Sequence, residues 1–468
     1  MAKVKKAWFC SSCGNESPKW MGKCPACGEW NSMVEEIVSK ASESTHTSRN
    51  SSLLQCVNAK PQPLTQIETG GESRIILSSY GVDVTNNGDS LSELDKVLGG
   101  GLVKGSIILI GGEPGIGKST LSLQIPLLCK SLKTLYISGE ESASQIKMRA
   151  QRLGGEHDNC FVLAETLLEN ILLRAKESNP DLLIVDSIQT IYSQNIDSSA
   201  GSVSQVRECA ASLLRFAKET NTPVILIGHI TKDGTLAGPK VLEHIVDVVL
   251  QFEGDTRHAY RILRSIKNRF GSTAELAVYE MSSMGLKEIL NPSEMFMPMH
   301  GENLSGIAVS AMLDGARPFL IEIQALVSSA AYGTPQRSAT GFDVRRMNML
   351  LAVLEKRVGF KLAQKDVFLN VAGGLKVSDP ACDLAIIAAI LSSNFDISLS
   401  NRIAFAGEVG LSGEIRPVSQ VEKRIIEAAR LGFKKIFISS FSKVPTGLDI
   451  IEVIKVANVP ELVREINK

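Results

Sequence analysis

The stretch Gly112-Glu-Pro-Gly-Ile-Gly-Lys-Ser119 contains two glycines separated by four residues and followed directly by Lys-Ser. An apolar run at 106–111 precedes it and has the character of a buried strand, while the segment from Thr120 has that of a helix. A strand, a glycine-rich turn and a helix in this order are typical of a phosphate-binding loop. A glycine turn that holds no ligand is the alternative. The pattern therefore predicts a nucleoside triphosphate site.

Each part of this loop has an expected role. Glycines allow backbone N–H groups to converge on phosphates, and the helix N-terminus adds partial positive charge. Lys118 is expected to reach the β and γ phosphates, and the Ser119 hydroxyl to hold Mg²⁺. The residues expected to contact the nucleotide are Gly112, Glu113, Pro114, Gly115, Ile116, Gly117, Lys118, Ser119 and Thr120.

The surrounding sequence predicts a mainly parallel sheet covered by helices. Apolar strand-like runs occur at 107–110, 134–137, 182–185, 224–227 and 246–252, with helix-like stretches between the first four. Such alternation indicates an α/β fold. Ligands of these folds bind beyond the carboxyl ends of the strands, where the phosphate loop lies.

Three strand ends supply further candidate catalytic residues. Asp186 closes an apolar strand and is expected to help hold Mg²⁺, although an acid here could also simply cap a helix. Glu140 follows the strand at 134–138 and is the candidate to polarise the attacking water, with Glu141 as the alternative base. His229 closes a further strand and could sense the γ-phosphate, or be an ordinary polar residue there.

Four cysteines near the N-terminus form two C-x-x-C pairs. Cys10 and Cys13 are separated by ten residues from Cys24 and Cys27. Four thiolates can close a tetrahedral Zn²⁺ shell, and a segment this short needs the metal for its folding. Free cysteines, a redox pair or an iron–sulfur centre are the alternatives. A closed four-thiolate shell indicates a structural role, because it leaves no open position for water.

Composition bounds the remaining possibilities. The chain has 468 residues, with 50 Lys+Arg and 50 Asp+Glu, so its net charge predicts no partner. It shows no apolar run of membrane-spanning length and no apolar signal core, and a cytoplasmic location is expected. We expect a zinc-binding module at 1–36, a flexible linker rich in Ser, Thr and Asn at 37–70, an ATPase core at 71–283 and a third domain at 284–468.

A five-residue motif, Lys267, Asn268, Arg269, Phe270 and Gly271, follows an apolar and basic strand. With the cysteine pairs, the phosphate loop and the stretch Ser138-Gly-Glu-Glu-Ser142 before it, the chain resembles the bacterial RadA (Sms) family of DNA repair ATPases over nearly its whole length. Taken alone, Lys-x-Arg is more typical of a solvated basic surface.

The resemblance implies the fold, the activity and the partners. It implies an α/β protein with an N-terminal zinc ribbon, a RecA-like P-loop ATPase core and a C-terminal α+β Lon-protease-like domain. Members resemble DnaB-type hexameric helicases and process recombination intermediates with RecA. Lys267 and Arg269 would lie at a subunit boundary, acting on a neighbour's nucleotide or contacting DNA.

The Lon-like part departs from the protease pattern. In Ser378-Asp-Pro-Ala-Cys-Asp383, Ala381 occupies the position of the nucleophilic Ser, and Arg424 occupies that of the Lys base, with Lys423 before it. Alanine has no nucleophilic atom and arginine stays protonated, so we expect no peptidase activity. The domain is instead expected to support oligomerisation. Its basic residues that could contact DNA, or form an ordinary exposed helix face, are Arg345, Arg346, Lys356, Arg357 and Lys361.

The resemblance thus implies a ring-shaped, hexameric ATPase that moves on single-stranded and branched DNA, with RecA as partner. Loops at 193–204 and 231–237 are the candidate DNA loops, since both are rich in small polar residues. A nucleotide-switched scaffold and an ATP-dependent protease are the rival functions.

Overall fold

The computed structural model describes residues 5–10, 15–26, 28–38, 74–80, 92–229, 241–254, 260–293, 297, 304–330, 334–400, 402–444 and 451–466. The chain divides into two compact units, Met1–Ile289 and Leu290–Lys468. No helix among these residues has the length and apolar character needed to cross a bilayer.

The N-terminal module is a small antiparallel sheet. Its strands are β1 (Lys5–Cys10), β2 (Glu16–Ser17) and β3 (Met33–Val38), in the order β2-β1-β3. Cys10, Cys24 and Met33 are buried together, with Trp8 packed against them. Strand β3 continues to Val38, two residues past the expected end of the module at 36, because all of it pairs with β1. Nearly all of the expected linker at 37–70 lies outside the described residues.

The ATPase core follows. Its helices are α1 (Ser92–Leu98), α2 (Lys118–Leu128), α3 (Ala143–Arg152), α4 (Leu168–Ser178), α5 (Val203–Thr220) and α6 (Val241–Ile245). A short pair, β4 (Arg74–Ile75) and β5 (Leu102–Val103), precedes the main sheet. The main strands are β6 (Ile107–Gly112), β7 (Thr134–Ser138), β8 (Cys160–Ala164), β9 (Leu182–Asp186), β10 (Val224–His229), β11 (Val248–Glu253), β12 (Tyr260–Asn268), β13 (Leu276–Ser282) and β14 (Gly285–Glu288).

The main sheet has the order β14-β13-β12-β11-β6-β10-β9-β7-β8. The six strands from β11 to β8 run parallel, and β12 to β14 are antiparallel. Strands β6, β7 and β9 are buried along their whole length, as expected when both faces of a parallel sheet are covered. The predicted α/β core is therefore confirmed, and β8 is an additional edge strand whose partial exposure explains its weaker apolar signal.

The boundary between the two units lies a few residues later than the sequence predicted, because strand β14 belongs to the first unit. The sequence suggested a division after 283, but Gly285–Glu288 pairs with β13 and belongs to the ATPase sheet, which ends its unit at Ile289. The residues between these two strands form a tight hairpin turn, in which the Ser282 hydroxyl donates to the Gly285 carbonyl.

The C-terminal unit is α+β. Its helices are α7 (Val344–Val358), α8 (Asp383–Phe395), α9 (Val421–Arg430) and α10 (Val459–Ile466). Its strands are β15 (Ile307–Asp314), β16 (Arg317–Ser329), β17 (Arg337–Thr340), β18 (Lys365–Val371), β19 (Ile403–Ala406), β20 (Glu408–Val409), β21 (Ile415–Arg416), β22 (Lys435–Ser439) and β23 (Glu452–Val456). Seven strands form a mixed sheet in the order β17-β18-β16-β15-β19-β22-β23. Helix α8 is buried from Asp383 to Ser392, which makes it the central helix of this unit.

Candidate nucleotide site and its surroundings

The glycine-rich loop connects the end of β6 to the start of α2. Gly115 has a φ of 76° and Gly117 a φ of 118°, both in the left-handed region that favours glycine. A Cβ at Gly117 would lie 2.8 Å from the Met281 Cε, so the loop also packs against β13. Arg261, buried on β12, supports it from below by donating to the Ile116 carbonyl at 3.3 Å. No motif in the sequence pointed to Arg261 as part of this site.

Lys118 is buried at the first position of α2. Its ammonium donates to the carbonyls of Gly112 and Glu113, both at 2.9 Å. Burial lowers the pKa of Lys118 to about 8, while the negative charges of Asp186 and Glu140 favour its protonated form. These electrostatic interactions mean that the structure brings the three predicted residues together around one site at the carboxyl edge of the sheet.

Two neighbouring glutamates follow β7, and they have different partners. Glu140 accepts a hydrogen bond of 2.7 Å from the Ser187 hydroxyl. Glu141 forms an ion pair with Arg149 of α3. Since Glu141 is held by its own cation, the geometry supports Glu140 as the candidate base. Ser187 was not among the residues selected from the sequence, although its place directly after Asp186 offered a signal.

Asp186 lies at the end of β9, beside Ser138 of β7 in the sheet register. The buried Tyr136 hydroxyl donates to its Oδ2 atom at 2.7 Å. Burial, followed by the charge of Asp186, raises the pKa of Tyr136 well above its usual range, so the phenol remains a donor at neutral pH. Tyr136 was read from the sequence only as an apolar strand residue.

Oxygen ligands suited to Mg²⁺ are present beside the loop. Ser119 lies in the first turn of α2, and Asp186 interacts electrostatically with the adjacent Lys118. A hydroxyl and a carboxylate suit Mg²⁺, which takes its other ligands from phosphates and water. Mg²⁺ bound there would neutralise charge on the transferring phosphoryl group. The donor set therefore fits the metal that the sequence predicted.

The two cysteine pairs start similar turns. The Cys10 amide donates to the Asn15 carbonyl at 3.0 Å, and the Cys24 amide donates to the Glu29 carbonyl at 2.9 Å. In both turns the first cysteine donates to the residue five positions later, and both of these thiols are buried in one cluster. Such paired turns fit a thiolate-bound structural metal. Cys13 and Cys27 lie outside the described residues.

The Lys267–Gly271 motif contacts the ATPase core through several side chains. The Lys267 ammonium donates to the carbonyls of Glu243 at 2.5 Å and Val246 at 2.7 Å. Burial and the neighbouring Arg269 charge lower the pKa of Lys267. Arg269 pairs with the buried Asp247 at 3.4 Å, yet 57% of its side chain is exposed. Lys267 is thus bound to the chain's own backbone, whereas Arg269 is accessible.

The rest of the motif is packed against the end of α1. Asn268 donates to the Val97 carbonyl at 3.4 Å and accepts from the Phe270 amide at 2.8 Å. A Cβ at Gly271 would lie 2.8 Å from the Gly99 Cα atom, so the two backbones touch. The close approach explains why glycine is needed at this position.

The two candidate DNA loops differ in what can be described. Gln205 is buried and holds the loop at 193–204, because its amide donates to the carbonyls of Ser193, Ile196 and Ser198 at 2.8–3.1 Å. The base of this loop is therefore more ordered than its small polar residues suggested. The side chain of His229 and the loop at 231–237 lie outside the described residues.

The residue at the position of the protease nucleophile is inaccessible to solvent. Ala381 is fully buried, and Arg424, only 1% exposed, donates to Asp379 and to the Ala311 carbonyl, both at 2.7 Å. Burial raises the pKa of the neighbouring Cys382 thiol to about 12, so it carries no thiolate at neutral pH. An ion pair thus fills the place where a protease would have its base.

The basic residues around α7 do not form one uniform surface. Arg346 pairs with the buried Asp383 and lies 3.7 Å from Glu408. Its guanidinium therefore binds carboxylates of its own domain, whereas the sequence had suggested a contact with DNA. Arg345, Lys356, Arg357 and Lys361 are exposed, and the stem of Arg357 packs beside Gly413.

Comparisons with known proteins agree with these three parts. Residues 8–35 match the family model described as rubredoxin metal binding domain, 76–235 match AAA domain, and 332–441 match subunit ChlI of Mg-chelatase. The fold and the nucleotide site therefore define a P-loop ATPase with a RecA-like core, an N-terminal zinc ribbon and a C-terminal Lon-like domain.

Relatives named DNA repair protein RadA match nearly the full length. The protein of Bacillus subtilis (strain 168) is 50% identical over 99% of both chains, and that of Listeria monocytogenes is 48% identical over 97% of both. That of Halalkalibacterium halodurans is 47% identical over 99% of both. The chain belongs to the RadA family.

Proposed function

We propose that this protein is a cytoplasmic DNA-dependent ATPase of recombinational DNA repair, which branch-migrates recombination intermediates together with the RecA recombinase. One observation carries the proposal: Lys118, Asp186 and Glu140 lie together at one glycine-rich loop, in a chain that matches DNA repair proteins over 99% of its length. Hydrolysis drives a ring, of six subunits in our proposal, along single-stranded DNA.

The site residues divide the chemistry between them. Lys118 stabilises negative charge on the transferring phosphoryl group. Glu140, oriented by Ser187, accepts a proton from the attacking water. Ser119 and Asp186 would hold Mg²⁺. None of these side chains comes from the C-terminal unit, so that unit serves assembly and DNA contact in this proposal.

Arg269 is the proposed connection between subunits. Its side chain is accessible, and its partner Asp247 also accepts from the Ile107 amide at 3.1 Å, at the start of the strand that leads to the phosphate loop. A guanidinium anchored in this way can reach a neighbour's nucleotide while remaining tied to its own core. Lys267 is bound to backbone carbonyls and supports the position of Arg269, or reaches DNA in another state.

The closed nucleophile position supports loss of peptidase activity. With Ala381 buried and Arg424 in an ion pair, the Lon-like domain is proposed as an oligomerisation platform whose exposed bases contact DNA phosphates. The zinc ribbon is proposed to dock RecA or to engage DNA. Absence of casein degradation is the direct check on the protease alternative.

ATPase turnover with and without single-stranded DNA tests the proposal, followed by a branch-migration assay with RecA-made joint molecules. We expect DNA to stimulate turnover, and ATP to drive migration. ATP and DNA binding without migration would instead support a nucleotide-switched scaffold. Electron microscopy of the ATP-bound assembly reports whether a closed ring forms and how many subunits it has.

A further inference from the structure

The zinc ribbon presents two exposed tryptophans beside one glycine. Trp20 is 54% exposed and Trp30 is 69% exposed. A Cβ at Gly22 would lie 3.5 Å from the Trp20 Cη2 and 3.8 Å from the Trp30 Cζ3, so the edges of both rings converge on this glycine. Large aromatic side chains are usually at least half buried, and a pair left in water on so small a module indicates a binding surface.

The second cysteine turn sets the position of this pair. Lys23 and Trp30 face each other in an antiparallel bridge, and the Asn31 amide donates to the Gly22 carbonyl at 2.8 Å. Between them the turn is closed by the Cys24 amide, which donates to Glu29. The hairpin that carries a predicted metal ligand therefore also holds Trp30 next to Gly22.

The charges around the rings favour an anionic ligand. Lys23 places its ammonium 5.7 Å from the centre of the Trp30 ring, and Lys19 is exposed directly before Trp20. Glu29, directly before Trp30, is an exposed acid on the same hairpin. Flat aromatic faces bordered by cations are the combination with which proteins bind single-stranded nucleic acid, because bases stack on the rings while the cations meet phosphates.

We propose that Trp20 and Trp30 form a stacking surface for unpaired DNA bases, with Lys19 and Lys23 as phosphate contacts. This inference deepens the proposed function, since it rests on DNA being a ligand of the chain and assigns part of that binding to the ribbon. It commits the ribbon surface to single-stranded DNA rather than to a protein partner.

The composition of the chain makes a selective test possible. The protein contains three tryptophans, and all of them lie in the ribbon: Trp8, Trp20 and Trp30. Intrinsic tryptophan fluorescence of the full-length protein therefore reports on this module alone. We expect titration with oligo(dT) to quench it, and an abasic strand of equal length to quench it far less, because that strand keeps the phosphates and lacks the bases.

Substitutions measure the contribution of stacking. Trp20→Ala and Trp30→Ala should each weaken oligo(dT) binding between about fivefold and about a hundredfold. Trp20→Phe and Trp30→Phe keep a stacking face and should bind close to wild type. Val34→Ala is the matched control, because Val34 is an exposed apolar side chain of the same ribbon and is not part of the pair. Zinc content of each variant shows whether the ribbon is intact.

Each outcome supports or contradicts one role of the tryptophan pair. Unquenched fluorescence at saturating oligo(dT), or full affinity in the double Ala variant with zinc retained, overturns the stacking surface and leaves the proposed function standing. Normal DNA binding with failed RecA capture in that variant assigns the pair to a protein partner instead. If the Ala variants lose zinc, the stacking surface is still tested by the fluorescence quenching of the wild type and by the oligo(dT) affinity of the Phe variants. A wild-type chain that binds no DNA at all contradicts the proposed function itself.

Discussion

The Ser187 hydroxyl donates a 2.7 Å hydrogen bond to Glu140, and thereby connects the residue after β9 to the second residue after β7. The two strands are neighbours in the sheet, and Ser187 directly follows Asp186. The candidate base and the candidate metal ligand are therefore placed by adjacent strand ends. A base held in one orientation can act on water without first paying for its own ordering.

Glu140→Gln should lower kcat about 10²–10⁴-fold with little change in the KM for ATP, because the amide cannot accept the proton. Ser187→Ala should lower kcat about tenfold, since one orienting hydrogen bond is lost. Steady-state ATPase kinetics measure both. Ser187→Thr, which keeps the hydroxyl, should recover activity, and Glu141→Gln should remain near wild type. A larger loss in Glu141→Gln than in Glu140→Gln would reverse the assignment.

ATP affinity should fall with rising pH above about 8. In the free protein the pKa of Lys118 is about 8, lowered by burial, and phosphates bind its charged form. Deprotonation above this pH removes that form, so the Kd for ATP should rise about fivefold from pH 8 to 9 and approach a tenfold rise per pH unit above that. Isothermal titration in buffers of different ionisation enthalpy should show proton uptake on binding. A constant Kd over this range would contradict the lowered pKa.

Arg269→Ala should bind ATP nearly normally and hydrolyse it about 10³-fold more slowly if it acts on a neighbour's nucleotide. Lys118→Ala should also be inactive. Mixing the two variants should restore part of the activity, because an intact Lys118 can then face an intact Arg269 across a boundary.

The rate of ATP hydrolysis without DNA distinguishes a role of Arg269 at a neighbour's nucleotide from a role in DNA binding. If Arg269 contacts only DNA, basal ATPase without DNA stays unchanged, and the salt dependence of DNA binding decreases by about one phosphate contact. Unchanged basal turnover in Arg269→Ala would therefore exclude the role across subunits.

Arg424→Met should destabilise the C-terminal unit by about 3–5 kcal/mol, because Asp379, whose side chain is only 10% exposed, would be left without its cation. Lys423→Met is the matched control on the preceding residue of α9, which is exposed, and should change stability by less than about 0.5 kcal/mol. Thermal and urea unfolding of both variants make the comparison. Equal stabilities would show that the ion pair is dispensable.

Cys24→Ser should remove zinc and unfold the ribbon, since the metal contributes its folding energy. Metal analysis and the fluorescence of the three ribbon tryptophans follow this change directly. Basal ATPase should persist, because the nucleotide site is built from other elements. Zinc-free wild-type protein that retains a folded ribbon would contradict the metal assignment.

Much of the ATPase site could be predicted from the sequence because its parts are local. The phosphate loop needs glycines, Lys118 and Ser119 at fixed spacing between a strand and a helix, and the pattern at 106–120 shows them in order. The cysteine pairs and Ala381 could also be identified from short, continuous motifs. Strands β6, β7 and β9 could be recognised because burial on both faces demands continuous apolar runs.

The tertiary structure decided which neighbours those residues have. Glu140 and Glu141 are adjacent and chemically alike, and only the positions of Ser187 and Arg149 distinguish them. Tyr136 looked apolar until the register brought its hydroxyl to Asp186. Trp20 and Trp30 meet because a hairpin turns the chain back between them. Local patterns carry backbone conformation and residue chemistry, whereas contacts between distant residues depend on strand order and register, which no single stretch of this sequence specifies.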